Sequence, residues 1–332
     1  MRHINRRQWL GTASAAGLTM GLPGFALAQS TTVKTARVTV GFPAGDMSDN
    51  IARLIGEHIR GRYAENTLVE NKPGAAARMA ITSYVKYKAD GSEVLFTPGA
   101  MVDLFPHVFE KLAYDPLKEL TPVTKIANAV FGLAVGPGVP AEVKTLAQYL
   151  AWCKQGARNA TYATSGAGSG IHLSAEYLAK LSNTPLTMVP YRGASPAATD
   201  LIAGQIPAQM ATIPSLIEFV RAGKARFIAV TSPERLPGFP DVPTFKEAGY
   251  PQLVTDDWFG FFLPAGAAPG TVSALDQAIQ AAIKDPKVTA ALEHMGLTVA
   301  PTASPAAFSQ LIAEKYAKWR EITKQIQFNP LA

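Results

Sequence analysis

Residues 189–215 read VPYRGASPAATDLIAGQIPAQMATIPS, and their punctuation specifies a strand, a turn, a helix and a second strand. Apolar Val189 leads into Pro190 and Tyr191, Gly193 marks a turn, and Ser195 stands as a hydroxyl cap directly before Pro196 at the first helical position. Ala198, Leu201 and Ile202 recur at helical spacing, and Gly204 stops the helix before residues 206–212 resume as a strand. A capped helix between two apolar strands is the unit from which α/β folds are built.

The same grammar extends in both directions. Residues 37–42 (RVTVGF) alternate and are β-branched, which predicts a first strand, and the helix after it carries an apolar face of Ile51, Leu54, Ile55 and Ile59. Further strands are expected over 67–70, 94–97, 121–126, 160–164 and 226–231, with helices over 144–155 and from 171 onward. Residues 258–263 (WFGFFL) form an aromatic strand that belongs in a core rather than a binding box. Residues 269–296 read as a helix interrupted around Asp285 and Pro286, and Ser304 with Pro305 caps a last helix reaching about Gln325.

Composition narrows the class. A chain of 332 residues with 48% apolar and 17% charged residues has material for two packed α/β units and is not disordered. Residues 1–28 have a basic start, an apolar run and an Ala26-Leu27-Ala28 site before Gln29, the pattern of an export signal, with Arg6-Arg7 fitting a twin-arginine or a Sec signal. The formal charge is +6, and removing the signal's Arg2, Arg6 and Arg7 leaves +3. No basic cluster is interleaved with aromatics, so the pattern argues against nucleic acid and favours small anionic ligands. A single cysteine, Cys153, excludes an internal disulfide and reads as a buried thiol. The histidines lack metal-ligand spacing, so neither a metal nor a cofactor is expected.

Two loops carry the chemistry. Residues 43–49 (PAGDMSD) lie between a strand and a helix start, where free amides and the helix dipole favour an anion. Asp46 and Asp49 would stabilise the same dipole without any ligand, so capping and ligand contact both stand open for them. Residues 165–170 (SGAGSG) repeat the arrangement before a helix beginning IHL. Enzyme motifs fail here. A dinucleotide fingerprint needs glycine where Ile171 stands, a nucleophile elbow needs glycine where Ala167 precedes Ser169, and no lysine closes a phosphate loop.

The 189–215 stretch, the first loop and the proline-rich segment 232–250 (SPERLPGFPDVPTFKEAGY) together resemble the substrate-binding proteins of tripartite tricarboxylate transporters, the Bug family, and the likeness runs in family order over residues 37–325. What the resemblance implies is an α/β, two-lobe periplasmic-binding-protein fold with two chain crossings between lobes, type II-like. Residues 29–128 and 255–332 would form one lobe and 129–254 the other. The implied function is that of a monomeric periplasmic receptor that closes on an organic carboxylate, mono- or dicarboxylate, aliphatic or aromatic, and presents it to the transporter's membrane subunits. The implied ligand contacts are Ala44, Gly45, Asp46, Met47, Ser48 and Asp49 in the first loop, then Arg78, Thr97 and Ala100. From the second lobe come Ser165, Gly166, Gly168, Ser169, His172, Tyr191, Gly193, Ala194, Asp200 and Thr212. The chain departs from the family pattern at Asp46, in place of a second glycine. It departs again at Ala75-Ala76-Ala77-Arg78, where glycines and an asparagine are usual, and at Gly170 and Ile171, in place of Ser and Pro. Arg78 could hold a second carboxylate through a two-pronged hydrogen bond. The rival reading is a secreted serine hydrolase or esterase using Ser165 or Ser169 with His172 and Asp200, which the three-residue spacing of Ser169 and His172 disfavours.

Overall fold

The computed structural model describes residues 33–164, 166–191 and 193–331; the export signal expected over residues 1–28, and Ser165, lie outside the described residues. In chain order the first elements are β1 (Val33–Val40), α1 (Met47–Ile59), β2 (Ala64–Asn71), α2 (Arg78–Tyr84), β3 (Glu93–Pro98) and the short helices α3 (Ala100–Asp103), α4 (Phe105–Val108) and α5 (Pro116–Glu119). Then come β4 (Leu120–Val135), α6 (Leu146–Cys153), β5 (Thr161–Thr164), α7 (Gly170–Ser182), β6 (Thr187–Pro190), α8 (Ala194–Ile202), β7 (Ala208–Thr212), α9 (Ile213–Arg221) and β8 (Arg226–Val230). The chain closes with β9 (Asp256–Pro264), α10 (Pro269–Ile283), α11 (Pro286–His294), β10 (Thr298–Val299) and α12 (Pro305–Gln325).

Everything is threaded on β4. The hydrogen-bonded path runs β2-β1-β3-β9-β4-β7-β5-β6, with β8 and β10 added along β4. Up to Val130, β4 pairs antiparallel with β9; from Phe131 it pairs antiparallel with β7, and from Gly132 also with β8. Strand β4 thus runs unbroken for 16 residues through the region near Asn128 where a crossing between lobes is expected. Because β1 and β2 run parallel to β1's other neighbour β3, and β9 opposes both β3 and β4, the first-half strands point the same way as β4. Strand β7 opposes β4, and β5 and β6 follow β7. The carboxyl ends of the two sets of strands thus face each other at the middle of β4. Pro98 ends β3 beside Phe259, itself beside Ala127, whereas Thr212 ends β7 beside Phe131. Four residues of strand separate these levels, about 13 Å.

Three apolar clusters hold the layers. One joins both halves, packing Trp258, Phe262 and Phe308 in a cluster with Leu133, Val135 and Tyr177. A second is confined to the first half around Ile51, Ile55, Phe96 and Phe261, and a third to the second half around Ala197, Leu201 and Leu216. Helix α12 follows the same junction: Phe308 touches the ring of Trp258 near its start, and Gln325 at its end accepts a hydrogen bond from Tyr177 of α7 at 2.7 Å. Cys153 is buried, and burial pushes its thiol up to about 11. The proline-rich segment bridges Val230 through Thr244 and drives Phe245 fully into the core, so it carries an anchor as well as an extended path.

The turn before α2 stores backbone strain. Ala75, Ala76 and Ala77 have φ of 47°, 52° and 66°. This left-handed region costs an L residue about 1 kcal/mol or more. A Cβ at Gly41 would lie 2.3 Å from that of Ala77, so Gly41 is what allows this turn to close on the end of β1. Ala76 is exposed. Ala76→Gly is therefore expected to stabilise the protein by about 0.5–1 kcal/mol and raise its melting temperature by about 1–3 °C, read by calorimetry. A lowered melting temperature would show that the turn is not strained.

Candidate functional site

The facing strand ends carry the loops of 43–46, 98–99 and 166–169, the residues Tyr191 and Gly193, and the start of α9. The first loop is built from its own side chains. Asp46 is the N-cap of α1 and its Oδ1 accepts from the N–H of Ser48 at 2.9 Å. Asp49 is buried and accepts from the N–H of Gly45 at 2.8 Å, from Asn71 at 2.9 Å and from Arg53 at 2.9 and 3.0 Å. Burial by itself would raise the Asp49 carboxyl, but the bonds from Arg53, Gly45 and Asn71 outweigh it and hold the group below its usual range. Between the two possibilities left by the sequence, Asp46 and Asp49 are both engaged in capping. Ala44 and Gly45 are exposed, Met47 is half-buried and Ser48 is buried.

A carboxylate held low in the folded state stabilises it above the unfolded pKa, and that stability is lost as pH falls through the folded pKa. Asp49→Ala is expected to cost about 2–3 kcal/mol at pH 7 and progressively less below pH 4, as measured by denaturant unfolding at both pH values. An equal cost at pH 7 and pH 3 would contradict the charge-based role.

The second loop is likewise closed on itself. Ser169 caps α7, accepting from the N–H of His172 at 3.2 Å and donating to the carbonyl of Gly166 at 2.9 Å. The N–H of Gly168 donates to Nδ1 of His172 at 3.1 Å, which places the ring proton on Nε2, 3.6 Å from Glu176. His172 is thus a buried brace for the loop. A serine-hydrolase arrangement would need Ser169 Oγ on the imidazole and Asp200 behind it; here Oγ meets the His172 backbone, and Asp200 accepts from the Tyr191 hydroxyl at 2.7 Å. Burial, then this bond, pushes the Tyr191 phenol up to about 12.

The third loop differs. Gly193, not Ser195, is the N-cap of α8; its φ of 121° suits glycine, and the helix begins at Ala194. Pro196 therefore occupies the third helical position, where its missing N–H removes no intrahelical bond, because the first turn's donors have no partner within the helix. No side chain caps α8 among the described residues. Gln209 donates to the carbonyl of Ala194 at 3.3 Å, setting this open helix start over β7, one strand from β4. At α9 the Thr212 and Ser215 hydroxyls bond each other at 2.7 Å, and this helix start also lacks a side-chain cap.

Three further expected residues make other contacts, and of these Arg78 lies apart from the facing loops. Thr97 is buried with its hydroxyl toward the carbonyl of Pro98 at 3.3 Å. The N–H of Ala100 donates to Asp257 at 3.2 Å. Arg78 lies with its guanidinium 3.8 Å over Phe109 and its Nε on the carbonyl of Ala75 at 3.0 Å. It lines a surface groove of about 320 Å³ with Lys86 and Lys111, and none of the glycine loops reaches that groove.

Sequence reasoning missed the floor. Asp257, opposite Ala129, and Trp258, opposite Asn128, sit between the two sets of strand ends. Trp258 Nε1 donates to the buried Asp103 at 2.7 Å. The signal was available: two consecutive acids at the start of an aromatic strand do not serve a core. Among the described residues no group of three His, Cys, Asp or Glu could hold a metal.

Comparison with known proteins adds the context. The model of a tripartite tricarboxylate transporter family receptor matches residues 51–328. Protein BugT of Bordetella pertussis is 27% identical over 308 residues, covering 92% of this chain and 94% of its own. Two Rhodopseudomonas palustris structures superpose over nearly their full length. One, with adipate, is 28% identical with a TM-score of 0.79 over 90% of this chain and 99% of its own. The other, MatC with bound malate, is 28% identical with a TM-score of 0.75 over 87% and 99%.

Proposed function

This chain belongs to the tripartite tricarboxylate transporter receptor family, the Bug-type periplasmic solute-binding proteins, and from that premise we propose that it captures an organic carboxylate between two lobes and hands it to membrane subunits. The observation that carries the reading is the open start of α8, whose first amides have no capping side chain among the described residues and which follows β6 at the carboxyl-end side of the second set of strands. Uncapped N–H groups with a helix dipole behind them hold a carboxylate without a metal. The α1 and α7 loops then wall the ligand, with the N–H groups of Gly45, Ser48, Gly168 and His172 engaged by the loops' own side chains. The anchor in this reading is the start of α8, at Gly193, Ala194 and the following residue. Adipate and malate in the related structures are ligands of this chemical class.

The lobes follow the two halves of the sheet, residues up to about 128 with 255–332, and 129–254, with β4 and the segment entering β9 as the crossings. Closure would bend these crossings while the cluster around Trp258 and Phe308 holds the back of the joint. In the cell the protein would be exported with Gln29 as first residue and act as a monomer. A thermal-shift and calorimetric screen of the mature protein against mono-, di- and tricarboxylates tests the reading. A ligand present at 100 times its Kd adds about 2.7 kcal/mol of apparent stability. Small-angle scattering with that ligand should show a smaller radius of gyration. Absence of binding by every carboxylate would overturn the proposal.

A further inference from the structure

The floor of the cleft carries a carboxylate that the anchor does not need. Asp257 is partly exposed at mid-β4, and its Oδ1 accepts from the N–H of Trp258 at 2.9 Å and of Ala100 at 3.2 Å. Oδ1 is thereby fixed at the β3–α3 loop, whereas Oδ2 accepts from none of the described residues. The charged groups packed around it are engaged elsewhere. Lys315 of α12 pairs with Asp256, Lys318 of α12 donates to the carbonyl of Val254, and Lys125 of β4 donates to Asn128 at 2.9 Å. Asp103 of α3 is fully enclosed, and burial first, then the nearness of Asp257, drives its carboxyl far above the usual range. The fold thus places one uncompensated acceptor on β9 opposite Ala129, between the levels at which β3 and β7 end.

We infer that Asp257 is a specificity-determining residue, and that it selects a carboxylate bearing a hydrogen-bond donor, a hydroxyl or an ammonium group, over the same acid without one. The inference rests on the carboxylate-receptor reading and deepens it. A donor near Oδ2 completes the carboxylate's hydrogen bonding, and an ammonium also neutralises its charge; a second ligand carboxylate there meets like charge in a poorly solvated place. The pH sign follows. Burial pushes Asp257 up to about 6, with Asp256 adding to the rise and the two amides opposing it. Above that pH the ionised group favours donors; below it the protonated group donates, and the preference for donor-bearing ligands falls.

The test is calorimetry on the mature protein with matched pairs that differ by a donor: succinate and L-malate, glutarate and L-glutamate, benzoate and 4-hydroxybenzoate. At pH 7.5 the donor-bearing member of the pair that binds should be tighter by about tenfold or more. Asp257→Asn, which keeps an acceptor for the Ala100 amide, should reduce or reverse that ratio. Should the variant unfold, the wild-type protein titrated from pH 8 to pH 5 gives the same readout, a ratio that falls by several-fold. Binding of a pair with a ratio unmoved by both the substitution and pH overturns the role of Asp257 and leaves the receptor reading standing. Failure of all six acids to bind wild type overturns this inference and leaves the receptor reading to the wider carboxylate screen.

Discussion

Trp258→Ala is expected to cost about 3–5 kcal/mol of stability, the range for removing a large buried aromatic side chain. The indole is 1% exposed, meets Phe308 edge-on at 5.1 Å between ring centres, and lies against Gly99 so closely that a Cβ there would stand 2.2 Å from its Cε2. Removal would empty this packing and also strip the enclosed Asp103 of its 2.7 Å donor. Denaturant unfolding measures the loss, and Trp258→Phe separates the two causes, since it keeps much of the apolar contact but no N–H. A loss below about 1 kcal/mol for the alanine variant would show that the joint between the halves does not depend on this side chain.

Ala194→Asp should move binding and stability in opposite directions. A carboxylate at the first position of α8 supplies the missing cap and complements the helix dipole, a gain of about 0.3–1 kcal/mol. The same group would occupy the anchor and repel an incoming anion, so affinity for any carboxylate ligand should fall by about 100-fold or more, equivalent to roughly 2.7 kcal/mol. Calorimetry and a melting curve on one sample read both effects. Undiminished affinity would remove the α8 start from the site. A variant that lost binding and stability together would point to misfolding of the loop, and Ser195→Asp, one residue further along the same open turn, would then repeat the comparison.

Periodicity placed the elements well because a helix or strand face records locally which side is buried. The apolar set Ile51, Ile55 and Ile59 is buried as its spacing requires, and Leu54 at the edge of that face is partly covered. The interruption at Asp285 appears as the cap between α10 and α11, with Pro286 starting the second helix. The start of α8 was misplaced by two residues. Ser195 followed by proline is a good local cap, yet Gly193 supplies a positive φ that turns the chain earlier. Local preference gave way there to the path the loop must take from β6 back over the sheet to β7.

The sequence by itself determined the fold class, the order of strands and helices, the family likeness and the three glycine-bearing loops. Each of these is written in neighbouring residues, in periods of two or 3.6 and in the backbone freedom of glycine. Tertiary structure was needed to see which loop donors are already taken. Asp46 and Ser169 could be recognised as potential caps, but the bonds from Gly45 to Asp49 and from Gly168 to His172 are seen only with the loops in place. It also brought Asp257 beside Ala100, residues 157 apart in the chain, and set both between opposed strand ends. Strand pairing across β4 fixed that meeting, and pairing register depends on hydrogen bonds between distant segments that no single stretch of sequence specifies.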